Sequence, residues 1–574
     1  MASSKQKPLP LLLLLICLTL TLLIHTTTYN LYPDNEPPTN RYYTATEPPS
    51  WYDKLQYMIE NRSDKLKIGL VNLDVDQIQV NGLADVTTIN FKKIEGDKKW
   101  EDFFPEWVDE DGKWGPMKCP EIPMPRDYEK VDVVVARVPD GGRDLFRLQV
   151  NLVVANVLVN GGWDDGEVVY VVFIGKLGPM WEIFRCDDLI WEESDYRIYK
   201  PDLKKLQQKV NMPVGSCMIP SSSFSQKVYG TQSTYKSREA YVTVLHSSET
   251  YVCGAIALAQ SILQTNSSKD LVLLADHSIT PKSLTGLKAA GWKIKLIERI
   301  RSPRAKKGAY NEYNYSKLRI WQLTEYDKVM FIDSDLIVLK NLDSFFGYPQ
   351  LSAVGNDKYM FNSGLILIEP SQCMFNALME KIFTFGSYNG GDQGFLNEAF
   401  TWWHRLHSRV NHLKVFNDHD QLMIEREMPD DLYTIHFLGL KPWVCYKDYD
   451  CNWDMSDRRR YASDPAHKKW WHVYDTMPAK LKPFCGLTRK MDARIQKWRG
   501  IAKRSGFRDE HWKIKEKSNI DIMLPAYETL EECDDEENKA DMIHVKEIDG
   551  SFNNQLNEIG HKITTSGWFV LEGE

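Results

Sequence analysis

Two aspartates, Asp333 and Asp335, come directly after a run of apolar residues at 329–332, within the segment YDKVMFIDSDLIVL at 326–339. An unbroken run of this kind is typical of a strand that is buried on both faces of a largely parallel sheet. Ligands bind beyond the carboxyl ends of the strands in such sheets, so both carboxylates are expected to face a crevice. Two carboxylates can hold one hard divalent cation there. The alternative interpretation is that the pair only caps and solvates the end of the strand.

Three later motifs are expected at strand-to-loop junctions and add polar groups that suit the same site. They are FNSG at 361–364, GGDQG at 390–394 with Asp392 beside glycines, and HFLGLKPW at 436–443 with His436 and Lys441. Each motif alone has an ordinary structural explanation. Together they supply two carboxylates and an imidazole for a divalent cation, a lysine for phosphate, and a further carboxylate for a sugar. The set predicts a site for a nucleotide-diphosphate sugar.

The elements that must position these motifs alternate between strands and helices. Before the central strand the pattern predicts, in chain order, a strand at 241–245, a helix at 251–264, strands at 271–275 and 293–297 separated by a helix at 281–290, and a helix at 315–324. The first strand, its polar loop and its helix form a nucleotide-binding half-motif, but no Gly-x-Gly-x-x-Gly is present, which disfavours a dinucleotide. The prediction is an α/β, Rossmann-like catalytic domain at 236–515.

A smaller α/β module is predicted at 61–235. Strands at 68–71, 131–138 and 168–174 alternate with a helical pattern at 145–159, as expected of an α/β unit. No residue of this module suggests chemistry.

The N-terminus reads as a short basic tail at 1–8, an apolar run at 9–25 and a stem at 26–60. At about 1.5 Å per residue the run spans about 24 to 27 Å, which suits the thinner membranes of the early secretory route. No Ala-x-Ala-like site follows it, so an uncleaved signal anchor with a luminal catalytic domain is predicted, and a cleaved signal peptide is the alternative. Three Asn-x-Ser sequons fit a luminal chain, at Asn61, Asn266 and Asn314.

Cysteine content and charge set further limits. Nine of the ten cysteines follow the apolar run, and an oxidising lumen allows disulfides, with Cys445 and Cys451 as the first candidate pair. The formal net charge of -8 gives no overall basic field, which argues against nucleic acid as a partner. Residues 516–574, with the acidic run EECDDEE at 531–537, are left unassigned.

Taken in order, several segments resemble the retaining glycosyltransferases of the glycogenin-like group, family 8. They are YVTVLHSSETYVCGAIALAQSI, YSKLRIWQLTEYDKVMFIDSDLIVL, FNSG, GGDQG and HFLGLKPW, within residues 238–445. A closer resemblance is to the plant enzymes that add glucuronic acid to xylan, through YKPDLKKLQQKVNMPVGSC at 199–217, YNEYNYSKLRIWQLTEYDK at 310–328 and KPWVCYKDYDCNWD at 441–454.

The resemblance implies a GT-A type fold with Asp333, Asp335 and His436 as the metal ligands. It places Lys441 on the diphosphate, and Asp392 is the catalytic candidate, as a nucleophile or as electrostatic support. The implied donor site comprises Leu245, Tyr251, Lys317, Asp333, Ser334, Asp335, Asn362, Ser363, Gly364, Asp392, Gln393, His436, Gly439 and Lys441. The resemblance implies that Leu245, Tyr251 and Lys317 lie around the nucleoside. The loop after the first strand of the catalytic domain differs from that of glycogenin by about one residue, so Leu245, His246 and Ser247 are alternatives for the first of these positions.

The activity implied by the resemblance is transfer of glucuronate from UDP-glucuronate, with manganese, onto the xylan backbone as α-1,2 side chains during cell-wall biosynthesis. The location implied is a single-pass type II position in the Golgi membrane, with other Golgi glycosyltransferases as candidate partners. The alternatives are another UDP-sugar donor on the same fold, for glucosyl or galacturonosyl transfer, and an inactive scaffold or lectin-like protein. The basic segment RIRSPRAKK at 299–307, with Arg304 and Arg319 preferred, is the candidate reader of the donor carboxylate.

Overall fold

The computed structural model describes residues 49–514, apart from 60–64, 79, 81, 106–107, 114–118, 164–167, 221–236, 358–359 and 417–425. The predicted anchor, most of the predicted stem, the domain boundary at 235–236 and the segment 516–574 lie outside the described residues. No helix in the described part of the chain is both long enough and apolar enough to cross a membrane.

The N-terminal module is built on a six-stranded sheet in the order β2-β1-β3-β4-β6-β5. Its strands are β1 (Leu66–Val71), β2 (Ala84–Thr88), β3 (Val133–Arg137), β4 (Tyr170–Ile174), β5 (Leu189–Glu193) and β6 (Tyr196–Tyr199). The first four strands of this order run parallel, and β6 and β5 complete the sheet in antiparallel pairs. The α/β character expected of this region is confirmed.

Four helices accompany this sheet: α1 (Ser50–Met58), α2 (Trp100–Phe103), α3 (Leu145–Asn160) and α4 (Leu203–Asn211). The carboxylate of Asp144 caps the start of α3 by accepting from the N–H of Arg147 at 2.6 Å. Most residues of α3 are buried, which explains why its sequence is apolar on nearly every side.

The second sheet has seven strands in the order β14-β12-β13-β10-β7-β8-β9. Its strands are β7 (Glu239–Leu245), β8 (Asp270–Ala275), β9 (Lys293–Leu296), β10 (Lys328–Ile332), β12 (Ser352–Asp357), β13 (Met360–Ile368) and β14 (His404–Leu406). The central strand β10 is buried along its whole length, as predicted. It runs parallel to β7 but antiparallel to β13, so the sheet is mixed. The reason is that β12 and β13 form an antiparallel pair, and β13 is the strand of this pair that lies beside β10.

A third, small sheet lies where the catalytic motifs meet. Its order is β11-β16-β15, formed by β11 (Leu336–Val338), β15 (His412–Leu413) and β16 (Thr434–His436). The helices of the C-terminal part are α5 (Val252–Gln264), α6 (Pro281–Ala290), α7 (Gln372–Lys381), α8 (Asp392–Ala399), α9 (Asp464–Thr476) and α10 (Arg489–Ser505). The helix expected at 315–324 is a 3-10 helix, Asn314–Gln322, and it ends with the N–H of Leu323 donating to the carbonyl of Ile320.

The two modules are joined by covalent and polar contacts. A disulfide connects Cys186 with Cys373 at α7. The carboxylate of Glu182 accepts from the N–H of Thr401 at 2.8 Å, and Nε of Arg405 donates to the carbonyl of Ser216 at 2.7 Å. One hydrophobic cluster contains buried residues of both sheets, so the N-terminal module supports the catalytic sheet.

Candidate active site

The Asp-Ser-Asp turn leaves the carboxyl end of β10 and is held from two sides. The N–H of Asp333 donates to the carbonyl of Gly364 in β13 at 2.8 Å, and the N–H of Phe437 donates to the carbonyl of Asp335 at 3.0 Å. β11, which follows the turn, pairs with β16, the strand that ends at His436. The turn therefore lies between β13 and β16, and His436 is brought next to both aspartates.

The FNSG motif lies inside β13, which corrects the expectation that it occupies a strand-to-loop junction. The last pair between β10 and β13 joins Ile332 to Leu365. Asn362, Ser363 and Gly364 therefore extend past the end of β10, alongside the Asp-Ser-Asp turn. The motif reaches the crevice because β13 is longer than its neighbour.

Asp333, Asp335 and His436 form a candidate metal centre, with one ligand atom from each within 4.8 Å of the others. Nε2 of His436 is 3.2 Å from Oδ1 of Asp335, and its Nδ1 is 3.1 Å from Oδ1 of Asn411. Nδ2 of Asn411 donates to Oδ1 of Asn362 at 2.9 Å, which leaves its carbonyl oxygen facing the imidazole. An imidazole that donates from Nδ1 to this oxygen has the Nε2 lone pair available for a cation.

Two further features fit a cation at this centre. Oδ1 of Asp335 is buried, and among the described residues only Nε2 of His436, at 3.2 Å, lies near it without forming a hydrogen bond, which is costly for a carboxylate unless a ligand supplies a partner. At Gly364 a Cβ would lie 2.5 Å from Cε1 of His436 and 3.0 Å from Oδ2 of Asp333, so glycine keeps the space between the ligands open. The oxygen and nitrogen donors suit a divalent cation.

Lys317 connects the metal centre to Asp392. Its Nζ is 2.5 Å from Oδ2 of Asp392 and 3.4 Å from Oδ1 of Asp333. Oγ of Ser363 donates to the same oxygen of Asp392 at 2.8 Å, and the N–H of Ser363 donates to Oε1 of Gln393 at 3.1 Å. Asp392 is 6% exposed and begins α8. Its carboxylate is thus held in place by an ammonium and a hydroxyl.

Lys441 lies on the other side of the metal centre. Its Nζ is 2.8 Å from Oδ2 of Asp335 and donates to the carbonyl of Phe437 at 2.7 Å. Gly439, in the same loop, has a φ of 73°, in the left-handed region that favours glycine. The loop thus folds back so that the ammonium meets the second aspartate of the turn.

The loop of Lys441 is fixed by Asn452. The N–H of Leu440 donates to Oδ1 of Asn452 at 2.8 Å, and Nδ2 of Asn452 donates to the carbonyl of Leu440 at 2.9 Å. Cys445 and Cys451, the pair predicted from the sequence, form a disulfide just before Asn452. The covalent link therefore supports the residue that positions the loop.

The charges of the site favour a cation. Burial and the nearby Asp335 carboxylate raise the pKa of Asp333 to about 6. Burial acts against ionisation of Asp335, but Lys441 outweighs it and lowers the pKa of that carboxyl. Burial would lower the pKa of Lys317, but Asp333 and Asp392 outweigh it and raise the pKa. With all five groups charged, three carboxylates face two ammonium groups, and a divalent cation would make the site positive overall.

Two of the predicted donor-site residues, Leu245 and Tyr251, lie in different surroundings. Leu245 ends β7 with its side chain buried in the core, whereas the next residue, His246, is half-buried. Burial lowers the pKa of His246. Tyr251 is partly exposed, and its ring packs edge-on against that of Trp443 at 5.8 Å. Of the alternatives at this loop, Leu245 is buried, whereas His246 is half-buried and Ser247 is exposed.

Ser334 is buried where α5 meets the turn. A Cβ at Gly254 of α5 would lie 2.5 Å from the carbonyl oxygen of Ser334 and 2.6 Å from Cη2 of Trp443. Glycine therefore allows the helix to pack closely on the backbone of the turn.

The basic segment at 299–307 is only partly directed at the crevice. Arg304 and Arg319, the preferred candidates for reading a donor carboxylate, both donate to backbone carbonyls. Arg299 instead reaches the loops after β8 and β7: its Nε is 3.0 Å from Oδ2 of Asp276, and its Nη1 is 3.4 Å from Oγ of Ser247.

Sequence reasoning did not find Asn411 or Asn452. Both side chains are buried, with exposed fractions of 1% and 0%. Asn411 contacts the predicted ligand His436, and Asn452 hydrogen-bonds to the backbone of Leu440, between the predicted residues Gly439 and Lys441. No feature of the segment around Asn411 indicates this role, because the asparagine meets His436 only through the pairing of β15 with β16.

Comparisons with known proteins agree with this geometry. A family model described as Glycosyl transferase family 8 matches residues 242–445, and one described as GUX1-5 N-terminal domain matches residues 39–217. UDP-glucuronate:xylan alpha-glucuronosyltransferase 2 of Arabidopsis thaliana is 47% identical over 496 residues, which are 82% of this chain and 83% of the relative. For UDP-glucuronate:xylan alpha-glucuronosyltransferase 1 of the same plant the identity is 42% over 492 residues, 81% of this chain and 74% of the relative.

A more distant relative is Glycogenin-1 of Homo sapiens, 28% identical over 271 residues, which are 44% of this chain and 76% of the relative. Both resemblances read from the sequence motifs are therefore confirmed. The match at 39–217 shows that the N-terminal module, in which the sequence suggests no catalytic residue, is also shared with relatives.

Proposed function

The chain belongs to the family of the UDP-glucuronate:xylan alpha-glucuronosyltransferases, and we propose on that basis that it transfers glucuronate from UDP-glucuronate to xylan with retention of configuration. It is a glycosyltransferase with an α/β catalytic fold. The observation that carries the proposal is the cluster of Asp333, Asp335 and His436. A buried oxygen of Asp335 forms no hydrogen bond within the described part of the chain, and the ammonium groups of Lys317 and Lys441 lie beside the two aspartates.

Asp333, Asp335 and His436 would hold the divalent cation, for which we propose manganese. When bound, the cation supplies positive charge to the departing diphosphate. Lys441 adds a second positive charge at the same edge of the site. Charge that grows on the leaving group is stabilised more in the transition state than in the ground state, which is what lowers the barrier.

Asp392 is the group we assign to the sugar. A retaining transfer must shield or use the face of the sugar opposite the leaving group, and a carboxylate there can attack the anomeric centre or support its positive charge. Lys317 and Ser363 orient the Asp392 carboxylate, because both donate to its Oδ2. Since Lys317 also contacts Asp333, the two halves of the site are set relative to each other.

Exposed aromatic side chains beside the site support a polysaccharide acceptor. Tyr388 is 59% exposed, and its hydroxyl accepts from Nε2 of Gln393 at 2.5 Å. Phe383, nearby in the chain, is 71% exposed. Aromatic faces next to polar groups suit the apolar faces and hydroxyls of a neutral sugar chain.

We extend the proposal to the Golgi membrane, with residues 9–25 as the anchor and the catalytic part in the lumen. Four disulfides support an oxidising compartment. They join Cys119 to Cys217, Cys186 to Cys373, Cys253 to Cys485 and Cys445 to Cys451.

The test is to incubate the purified protein with manganese, a panel of UDP-sugars and xylo-oligosaccharides, and to determine the mass and linkage of the products. Transfer from UDP-glucuronate alone is expected. Preferred transfer from UDP-glucose or UDP-galacturonate would support the alternative donor, and no transfer from any donor would refute the proposed enzyme activity.

A further inference from the structure

Helix α10 (Arg489–Ser505) is strongly basic in a chain with a formal net charge of -8. Its 17 residues include seven lysines and arginines and one acidic residue, Asp492. The carboxylate of Asp492 is turned inward, where it accepts from the hydroxyl of Tyr446. The positive charge of the helix is therefore not neutralised by the helix itself.

Four of these cations lie on one face of α10. Lys490, Arg494, Lys497 and Arg504 are spaced by four, three and seven residues, a spacing that places side chains along one side of a helix. All four are exposed, and none forms an ion pair with an acidic side chain of the described residues. We call these four residues the cationic stripe. At about 1.5 Å per residue the helix that carries it is about 25 Å long.

The opposite face of α10 is anchored in the protein. Ile495 and Ala502 are fully buried, and Trp498 packs against the cluster to which Ile495 belongs. Arg499 lies over the ring of Tyr446. Because the apolar side is already covered, the helix cannot insert that side into a membrane, and only its charged face is available to a partner.

The segment that follows the described chain has the opposite charge. Residues 515–574 contain 15 acidic and 5 basic residues, and six of the seven residues at 531–537 are acidic. We propose that the acidic run 531–537 docks on the cationic stripe of the same molecule. The stripe offers a row of cations without acidic partners in the described chain, and the run offers a row of carboxylates of the opposite charge.

The connection is long enough for this contact. The structure describes the chain as far as Ile514, after α10, and the acidic run begins 17 residues later at Glu531. An extended chain reaches about 3.3 Å or more per residue, so 17 residues can span about 55 Å, twice the length of α10. Attachment to the same chain also raises the effective concentration of the run at the stripe, so weak individual ion pairs suffice.

The test uses the full chain and a carbodiimide, which links carboxylates to lysine amines only in contact. Crosslinks from 531–537 to Lys490 and Lys497 within monomers are expected, and they should fall steeply in 0.5 M salt. The variant Arg494→Glu with Arg504→Glu keeps both reporter lysines and should reduce these crosslinks about tenfold, equivalent to 1.4 kcal/mol. The matched control is Lys468→Glu with Lys469→Glu on α9, which are exposed and should leave them unchanged.

A second measurement addresses the consequence of docking. A variant with the six acidic residues of 531–537 replaced by their amides should elute from a heparin column at higher salt than the unaltered chain. This shift should be smaller when both proteins also carry Arg494→Glu and Arg504→Glu, because part of it comes from the uncovered stripe. Equal elution would overturn the proposal. Crosslinks spread evenly over lysines away from α10, crosslinked dimers in place of monomers, or no effect of Arg494→Glu with Arg504→Glu would overturn it as well.

Discussion

Replacement of Asn411 by alanine tests whether this residue orients the proposed metal ligand His436. The substitution removes the acceptor of the Nδ1 proton, which lies 3.1 Å from Oδ1 of Asn411, and it removes the donor to Asn362. The imidazole is 4% exposed, so water does not readily replace the lost partner. A buried donor without an acceptor costs about 1 to 3 kcal/mol, and loss of such support for a metal ligand lowers metal affinity about 10- to 100-fold.

The assay is glycosyl transfer as a function of manganese concentration. Asn411→Ala should need about 10 to 100 times more metal for half-maximal rate and should recover much of its turnover at saturating metal. The matched control is Asn151→Ala in the N-terminal module. Asn151 is fully buried, donates to the carbonyl of Arg147 and accepts from the N–H of Met180. The Asn151→Ala variant should have lower thermal stability than the unaltered protein and the same metal requirement.

If Asn411→Ala were as stable as the control variant and kept the metal requirement of the unaltered protein, the orientation of His436 would not depend on Asn411. If turnover stayed low at every metal concentration in a folded variant, Asn411 would act on a step other than metal binding.

Three further predictions follow from the site. Asp333→Asn should reduce turnover by orders of magnitude in a normally folded protein, because an amide is a poorer ligand than a carboxylate, and full activity in excess chelator would remove the metal from the mechanism. Gly364→Ala should abolish metal-dependent transfer, since its Cβ would lie 2.5 Å from Cε1 of His436; unchanged metal titration would show that the ligands can move apart. Glycopeptide mapping of protein from a secretory host should find sugar on Asn266, which is exposed, and none on Asn314, which is half-buried three residues before Lys317.

Local patterns in the sequence were sufficient for the strand that carries the Asp-Ser-Asp turn. Strand β10 needs apolar side chains on both faces, and this requirement is visible in four consecutive residues at 329–332. The glycines around Asp392 and the close spacing of Cys445 and Cys451 are similarly local signals, and the structure places Asp392 at a helix start and joins the two cysteines. The meeting of His436 with Asp335, in contrast, was indicated by family resemblance and not by periodicity.

Tertiary structure alone decided how the distant groups meet. Lys317 pairs with Asp392, Asn411 supports His436, and β13 carries Ser363 past the end of β10, although nothing near these residues in the sequence indicates it. The physical reason is that side-chain periodicity reports which face of an element is buried, whereas contacts between elements depend on strand order and register. One sequence does not specify that order, and a shift of register by one residue would turn Ser363 to the other face of its sheet.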